Sequence, residues 1–93
     1  MIKTFKCKHT EKLFNGHPIK KLHRDIQRVA LRKLKMLDAA TVLDTLKVPP
    51  GNMLEALKHD RAGQHSIRIN IQWRICFIWK DGHAFNVEIV DYH

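Results

Sequence analysis

The sequence predicts an α+β fold in which N-terminal helices pack on one face of a mostly antiparallel sheet of four to five strands. Three observations carry this. The segment Val48-Pro49-Pro50-Gly51-Asn52 divides the chain, because two prolines stop a helix and a glycine permits a sharp turn. Ahead of it, Leu22, Ile26, Val29, Ala30, Leu34 and Leu37 recur three or four residues apart, the period of an amphipathic helix. Behind it, apolar residues alternate with polar ones, the period of a half-buried strand. Neither half could bury its apolar face alone, so residues 1–93 are read as a single domain.

The elements follow in order. Met1–Phe5 reads as a short strand. Thr10 is placed to cap a short helix that stops at Asn15-Gly16. Pro18 suits the first turn of the next helix, which runs to about Ala40. Thr41–Leu46 continues that helix or forms another short one. Asn52–Leu57 is read as a strand. Ser66–Asn70 alternates through Ile67 and Ile69, Trp73–Trp79 through Trp73, Ile75, Phe77 and Trp79, and Phe85–Tyr92 through Phe85, Val87 and Ile89. Asp81-Gly82 is a strong turn signal between the last two.

Matching apolar face to apolar face sets the registers. A loop at 70–72 pairs Ile69 with Trp73 and Ile67 with Ile75, and it sets Arg68 opposite Arg74 on the outer face. Opposed like charges cost about 0.2–1 kcal/mol, which an anion between them would offset. The same reasoning places 81–83 in the turn, pairing Trp79 with Phe85, Phe77 with Val87, Ile75 with Ile89, and Arg74 with Val90. Strict alternation sends Tyr92 to the arginine side and Asp91 and His93 to the other.

Charge narrows the partners. The formal net charge is +8, and residues 1–50 hold 12 Lys+Arg against 4 Asp+Glu, while residues 51–93 hold five of each. Such asymmetry points to a polyanion, above all nucleic acid, with an acidic protein or an anionic membrane surface as alternatives. Arg24, Arg28, Arg32 and Lys35 share one face of the long helix. They form either a solvated face or a ridge that tracks phosphates, which we favour. No apolar run is long enough to span a bilayer, and Met1–Phe5 lacks the apolar stretch of a signal peptide. Cys7 and Cys76 form no disulfide framework and no CxxC pair, consistent with reduced thiols in the cytoplasm. The seven histidines show no metal-ligand spacing, and no glycine-rich phosphate loop is present. Neither a metal nor a cofactor is expected.

Asp91, Tyr92 and His93 follow the last strand directly, and each can accept, donate or position a proton. Together with Arg68 and Arg74 they suit metal-free cleavage of RNA. A ribose 2′-hydroxyl attacks the adjacent phosphorus, a base takes its proton, arginines stabilise the added negative charge, and an acid protonates the leaving 5′ oxygen.

The stretches Pro49-Pro50-Gly51-Asn52, Leu54-Glu55-Ala56-Leu57, Asp60 through Asn70, Gln72-Trp73-Arg74-Ile75-Cys76-Phe77 and Val87 through His93 resemble the HigB toxins, a branch of the RelE/ParE toxin superfamily. Met1–Phe5 and Leu37–Thr41 fit as well. The resemblance implies a small RelE/ParE-like domain that enters the ribosomal A site and cuts mRNA during translation. It implies a cognate helix-turn-helix antitoxin of the HigA kind, which represses the shared operon, so that operator DNA is met only through the antitoxin. No membrane is implied. The family's site residues match Arg68, Arg74, Asp91, Tyr92 and His93, and Lys58 matches a basic position. Lys58 and Arg61 are assigned to RNA binding beside the helical ridge. Glu55 stands where some members carry a catalytic histidine, and it is assigned to the catalytic set. A glutamate can act as a base, but it cannot stabilise negative charge as imidazolium can. Two alternatives are a ParE-like inhibitor of gyrase and a basic RNA-binding module without toxicity.

Overall fold

The computed structural model describes residues 1–91; Tyr92 and His93, both expected in the catalytic set, lie outside the described residues. Two helices, α1 (Lys8–Phe14) and α2 (Arg24–Ala39), precede four strands: β1 (Glu55–Ala56), β2 (His65–Arg68), β3 (Trp73–Lys80) and β4 (His83–Asp91). The strands form one antiparallel sheet in the order β1-β2-β3-β4. The N-terminal segment runs parallel to β4 and bridges it at Ile2–Ala84 and Phe5–Val87. The expected fifth strand is therefore an edge segment held by a few backbone bonds, among them Lys3 N–H to the Ala84 carbonyl at 2.8 Å.

The helices bury one face of the sheet. Ala30, Leu34 and Leu37 of α2 meet Ile67, Ile75, Phe77 and Val87 in one cluster, all with no exposed surface. Each large side chain buried there contributes about 1.5–3 kcal/mol. Truncating Leu34 to alanine would cost about 2–5 kcal/mol.

Local details depart from the sequence reading in four places. Thr10 does not cap α1: it lies inside the helix, buried, and its hydroxyl accepts the Ile89 N–H at 3.1 Å, tying α1 to β4. The helix does stop at Asn15-Gly16, where Gly16 takes φ +88°. The long helix begins at Arg24 rather than Pro18. The Gln27 side chain pins the preceding loop, accepting from Ile19 N–H and donating to the Ile19 and Leu22 carbonyls, while His23 Nδ1 caps Asp25 N–H. Beyond the helix, Thr41–Leu46 resolves as a short 3-10 turn at Leu43–Lys47. The strand expected over 52–57 is cut to two residues because Pro50–Asn52 forms a 3-10 turn and Met53 adopts a left-handed conformation, φ 47°.

The fourth departure is a bulge. Asp81 and Gly82, with φ 54° and 78°, form a two-residue turn, so Lys80 pairs with His83 and Trp79 with Ala84, not with Phe85. Asn86 then takes φ 53°, and Asn86 and Val87 together oppose Phe77. One extra residue on β4 restores the expected pairs Ile75–Ile89 and Arg74–Val90. Ala84 accordingly enters the core in place of Phe85, which stays half-buried.

Candidate active site

Alternation along β3 sends Arg74 and Cys76 to the face away from the helices. Their neighbours across the sheet are Arg68 and Ser66 on β2, and Val90 and Glu88 on β4. Glu55 of β1 stands beside Ser66 on the same face. The sheet thus brings Glu55, Ser66, Arg68, Arg74, Cys76 and Glu88 together from four strands.

Arg68 and Arg74 are directly opposed, as the pattern of the sequence predicts. They coexist by diverging along β2. Arg74 turns toward the start of β2: its Nε donates to Ser66 Oγ at 2.7 Å, and its Nη2 donates to the Met53 carbonyl at 2.6 Å. Arg68 turns the other way, its Nε donating to the Asn70 carbonyl at 3.1 Å. The same Asn70 closes the 70–72 loop, its Oδ1 accepting from Gln72 N–H and Trp73 N–H. No anion is needed to hold the two cations apart.

The two arginines differ in burial. Arg74 is 8% exposed, whereas Arg68 is half-buried. Glu55 Oε1 lies 3.7 Å from Arg74 Nη2, with about half of the glutamate side chain in water (48%). This is a loose pair that contributes little stability but keeps a carboxylate beside the guanidinium. Glu55 also borders a cleft of about 350 Å³ whose other walls are Ala56, Leu57, Lys58 and His59. Lys58 is exposed there.

Arg61 does not reach out with Lys58. Its Nη1 donates to Glu88 Oε2 and to Gln64 Oε1, both at 3.1 Å, and Lys6 approaches the same Glu88 oxygen at 3.6 Å. Glu88 therefore holds two cations on the site face. Cys76 sits between Ser66 and Glu88 with no exposed surface, and burial pushes its thiol up. Cys76 thus serves as a small packing residue.

Asp91 pairs with Trp73, which alternation assigns to the face opposite the arginines, and its Oδ2 accepts from Gln72 Nε2 at 3.1 Å. The expected positions of Tyr92 and His93 lie outside the described residues. Arg24, Arg28, Arg32 and Lys35 are all exposed on α2. Because α2 turns Ala30, Leu34 and Leu37 to the sheet, this ridge faces away from it. The ridge and the two sheet arginines lie on opposite sides of the layered fold. Lys58 and Arg61, expected beside the helical ridge, belong instead with the sheet arginines and Glu88.

Several contributors escaped the sequence reading. Ser66, Glu88 and the Met53 carbonyl become visible only through register and turn geometry. Lys33 reads as one more surface cation in Arg32-Lys33-Leu34-Lys35, yet it is buried, and its Nζ donates to the buried Asn52 Oδ1. Burial, aided by the charge of Arg32, holds its pKa below the ordinary lysine range. The available signal was position: three residues after Ala30 and four before Leu37, Lys33 falls on the apolar side of the helical wheel. Among the described residues, no three His, Cys, Asp or Glu side chains cluster as metal ligands.

A family model of RelE-like toxins of the HigB type II toxin–antitoxin system matches residues 3–93. Toxin HigB-1 of Vibrio cholerae is 41% identical over 86 residues, spanning 88% of this chain and 87% of the relative. Endoribonuclease HigB of Proteus vulgaris is 36% identical over 98 residues, covering both chains in full. Among solved structures, a YoeB-YefM toxin–antitoxin complex from Staphylococcus aureus contains a chain similar in fold, with TM-score 0.57 at 18% identity, covering 100% of this chain and 98% of that one.

Proposed function

The chain belongs to the HigB-like family of RelE-like toxins of type II toxin–antitoxin systems, and on that footing we propose that it is an endoribonuclease that cuts mRNA on the ribosome. The observation that carries this reading is Arg74. A buried guanidinium, fixed by Ser66 and Met53, is paired with a more exposed Arg68 on the sheet face away from the helices. Fixed cations of this kind stabilise charge that develops during reaction without having to reorganise.

In the proposed reaction, the 2′ oxygen of one nucleotide attacks its 3′ phosphorus and the bond from phosphorus to the 5′ oxygen breaks. Arg74 and Arg68 stabilise the added negative charge on the phosphoryl oxygens. Glu55 is assigned to accept the 2′ proton, a role supported by its carboxylate lying 3.7 Å from Arg74 Nη2. Tyr92 and His93 are assigned proton delivery to the leaving 5′ oxygen, while Asp91, which pairs with Trp73 and accepts from Gln72, is assigned to holding the strand end. The products are a 2′,3′-cyclic phosphate and a 5′-hydroxyl end. The exposed Lys58 meets RNA phosphate beside Glu55, Arg61 supports the same face from its pair with Glu88, and the α2 ridge meets ribosomal phosphates on the far side of the fold. The toxin acts in the cytoplasm, and a cognate antitoxin of the helix-turn-helix, HigA-like kind neutralises it.

Mapping mRNA 5′ ends after brief expression tests this reading. New 5′-hydroxyl ends within translated codons, absent when initiation is blocked, are expected. Intact mRNA with altered DNA supercoiling would replace the nuclease reading with gyrase inhibition.

A further inference from the structure

We propose that Asn52 is a positioning residue for Arg74 and acts through the carbonyl of Met53. This deepens the site of the cleavage reading and rests on it. Asn52 is fully buried under the proline-rich turn. Its Nδ2 donates to the Leu46 carbonyl at 3.0 Å and to the Val48 carbonyl at 3.4 Å, and lies 3.2 Å from Met36 Sδ. Its Oδ1 accepts from the buried Lys33 amine. Its backbone N–H donates to the Pro49 carbonyl at 2.9 Å, and the next N–H, of Met53, to Pro50 at 3.1 Å. One side chain thus ties the turn to α2 and to both ends of the Leu46–Val48 segment.

The consequence appears one residue on. Met53 sits at φ 47°, ψ 51°, a left-handed conformation unfavourable for its residue type. In that conformation its carbonyl accepts Arg74 Nη2 at 2.6 Å. With Nε held by Ser66, two bonds on one edge fix the plane of the guanidinium. The Met53 side chain contributes nothing to the core, being 54% exposed. What matters at 53 is the direction of its carbonyl, and the buried amide at 52 sets it. The helix layer is thereby linked to a cation on the opposite face of the sheet, through Lys33, Asn52, Met53 and Arg74.

The experiment separates positioning from mere stability. Single-turnover cleavage is measured on programmed ribosomes for Asn52→Ala, Met53→Val and Met53→Asn, each alone and with Arg74→Ala. Misaiming a charge-stabilising group costs about 10- to 100-fold in rate. A loss of that size in kcat, with KM little changed, is expected for Asn52→Ala. Met53→Val should do the same, since a β-branched residue resists φ 47°, while Met53→Asn, which tolerates it, should keep the wild-type rate. Both losses should vanish in the Arg74→Ala background. Additive losses there, or a Met53→Val protein with full kcat, would overturn the proposal. Should Asn52→Ala fail to fold, Asn52→Asp takes its place, since it keeps the acceptor for Lys33 and loses the donor to the Leu46 and Val48 carbonyls. Full kcat in that variant would overturn the proposal. Solvent exchange of the Arg74 guanidinium protons, followed by NMR, reads positioning without cleavage. It should quicken in Met53→Val and not in Met53→Asn, and equal exchange in both would overturn the proposal. If the wild-type protein cuts no RNA, the function reading falls while this measurement still decides the positioning.

Discussion

Arg68 and Arg74 face each other across β2 and β3, yet they are held in different ways. Arg74 is sunk into the sheet with its charge directed at Ser66 and Met53, whereas Arg68 lies nearer the surface and leans on the Asn70 carbonyl. The site face thereby carries one cation fixed within the sheet and one nearer the surface.

Removing them should separate activity from stability. Arg74→Ala is expected to slow cleavage by about 10²–10³-fold. It should also destabilise the fold by about 1–3 kcal/mol, because the Met53 and Ser66 oxygens lose a donor. Arg68→Ala should reduce cleavage while shifting stability by no more than about 0.5 kcal/mol. Single-turnover rates and urea midpoints check both, and an Arg74→Ala protein that cuts RNA normally would remove it from the mechanism.

Glu55 carries the proposed base. Glu55→Gln should slow cleavage about 100-fold or more and erase the acidic limb of the pH–rate profile. Its fold should be unaffected, since the pair with Arg74 is loose and half-exposed. An unchanged profile would pass the proton to the C-terminal groups, and a truncation lacking His93, expected to fold normally and cut poorly, then becomes the decisive protein.

The ridge on α2 is tested by reversing Arg24, Arg28 and Arg32 to Glu. All three are exposed, so the thermal midpoint should hold. Ribosome affinity should fall, and its logarithmic salt slope should shrink by about 0.9 for each phosphate that the ridge no longer neutralises. The single-turnover rate at saturating ribosomes should survive, because the ridge lies across the fold from Arg74. A salt slope equal to wild type would return the ridge to a solvated surface.

Lys33 makes stability depend on pH with a defined sign. Its native pKa lies below the ordinary 10.5, so between the two values the unfolded chain binds more protons than the native one. Stability from this residue therefore rises as pH climbs toward 10.5. Urea midpoints of wild type relative to Lys33→Met should shift in favour of wild type over that range. The raised thiol of Cys76 acts with the opposite sign, but it is common to both proteins and cancels. A pH-independent difference would show that the buried amine keeps its ordinary pKa.

Much of this architecture was legible in the chain. Ile67 with Ile75, and Arg68 with Arg74, follow from alternation, because a one-residue slip would turn every apolar side chain outward. Even the bulge left a signal. Asp81-Gly82 asks for a two-residue turn, the apolar faces ask for three, and Asn86, a residue tolerant of φ 53°, absorbs the difference. Thr10 and Pro18 misled because a local helix signal was overridden, in one case by a bond to Ile89 and in the other by the Gln27 anchor.

The sequence by itself determined the layers, the register at the arginine end, and a family likeness that names the chemistry. Those depend on periodicity and on short-range pairing, both of which are written linearly. Only the tertiary structure decided that the basic ridge and the sheet arginines face opposite ways, that Lys33 is buried, and that a carbonyl at Met53 aims Arg74. Those depend on which side of each layer meets the core, and on contacts between residues far apart in the chain that no local pattern encodes.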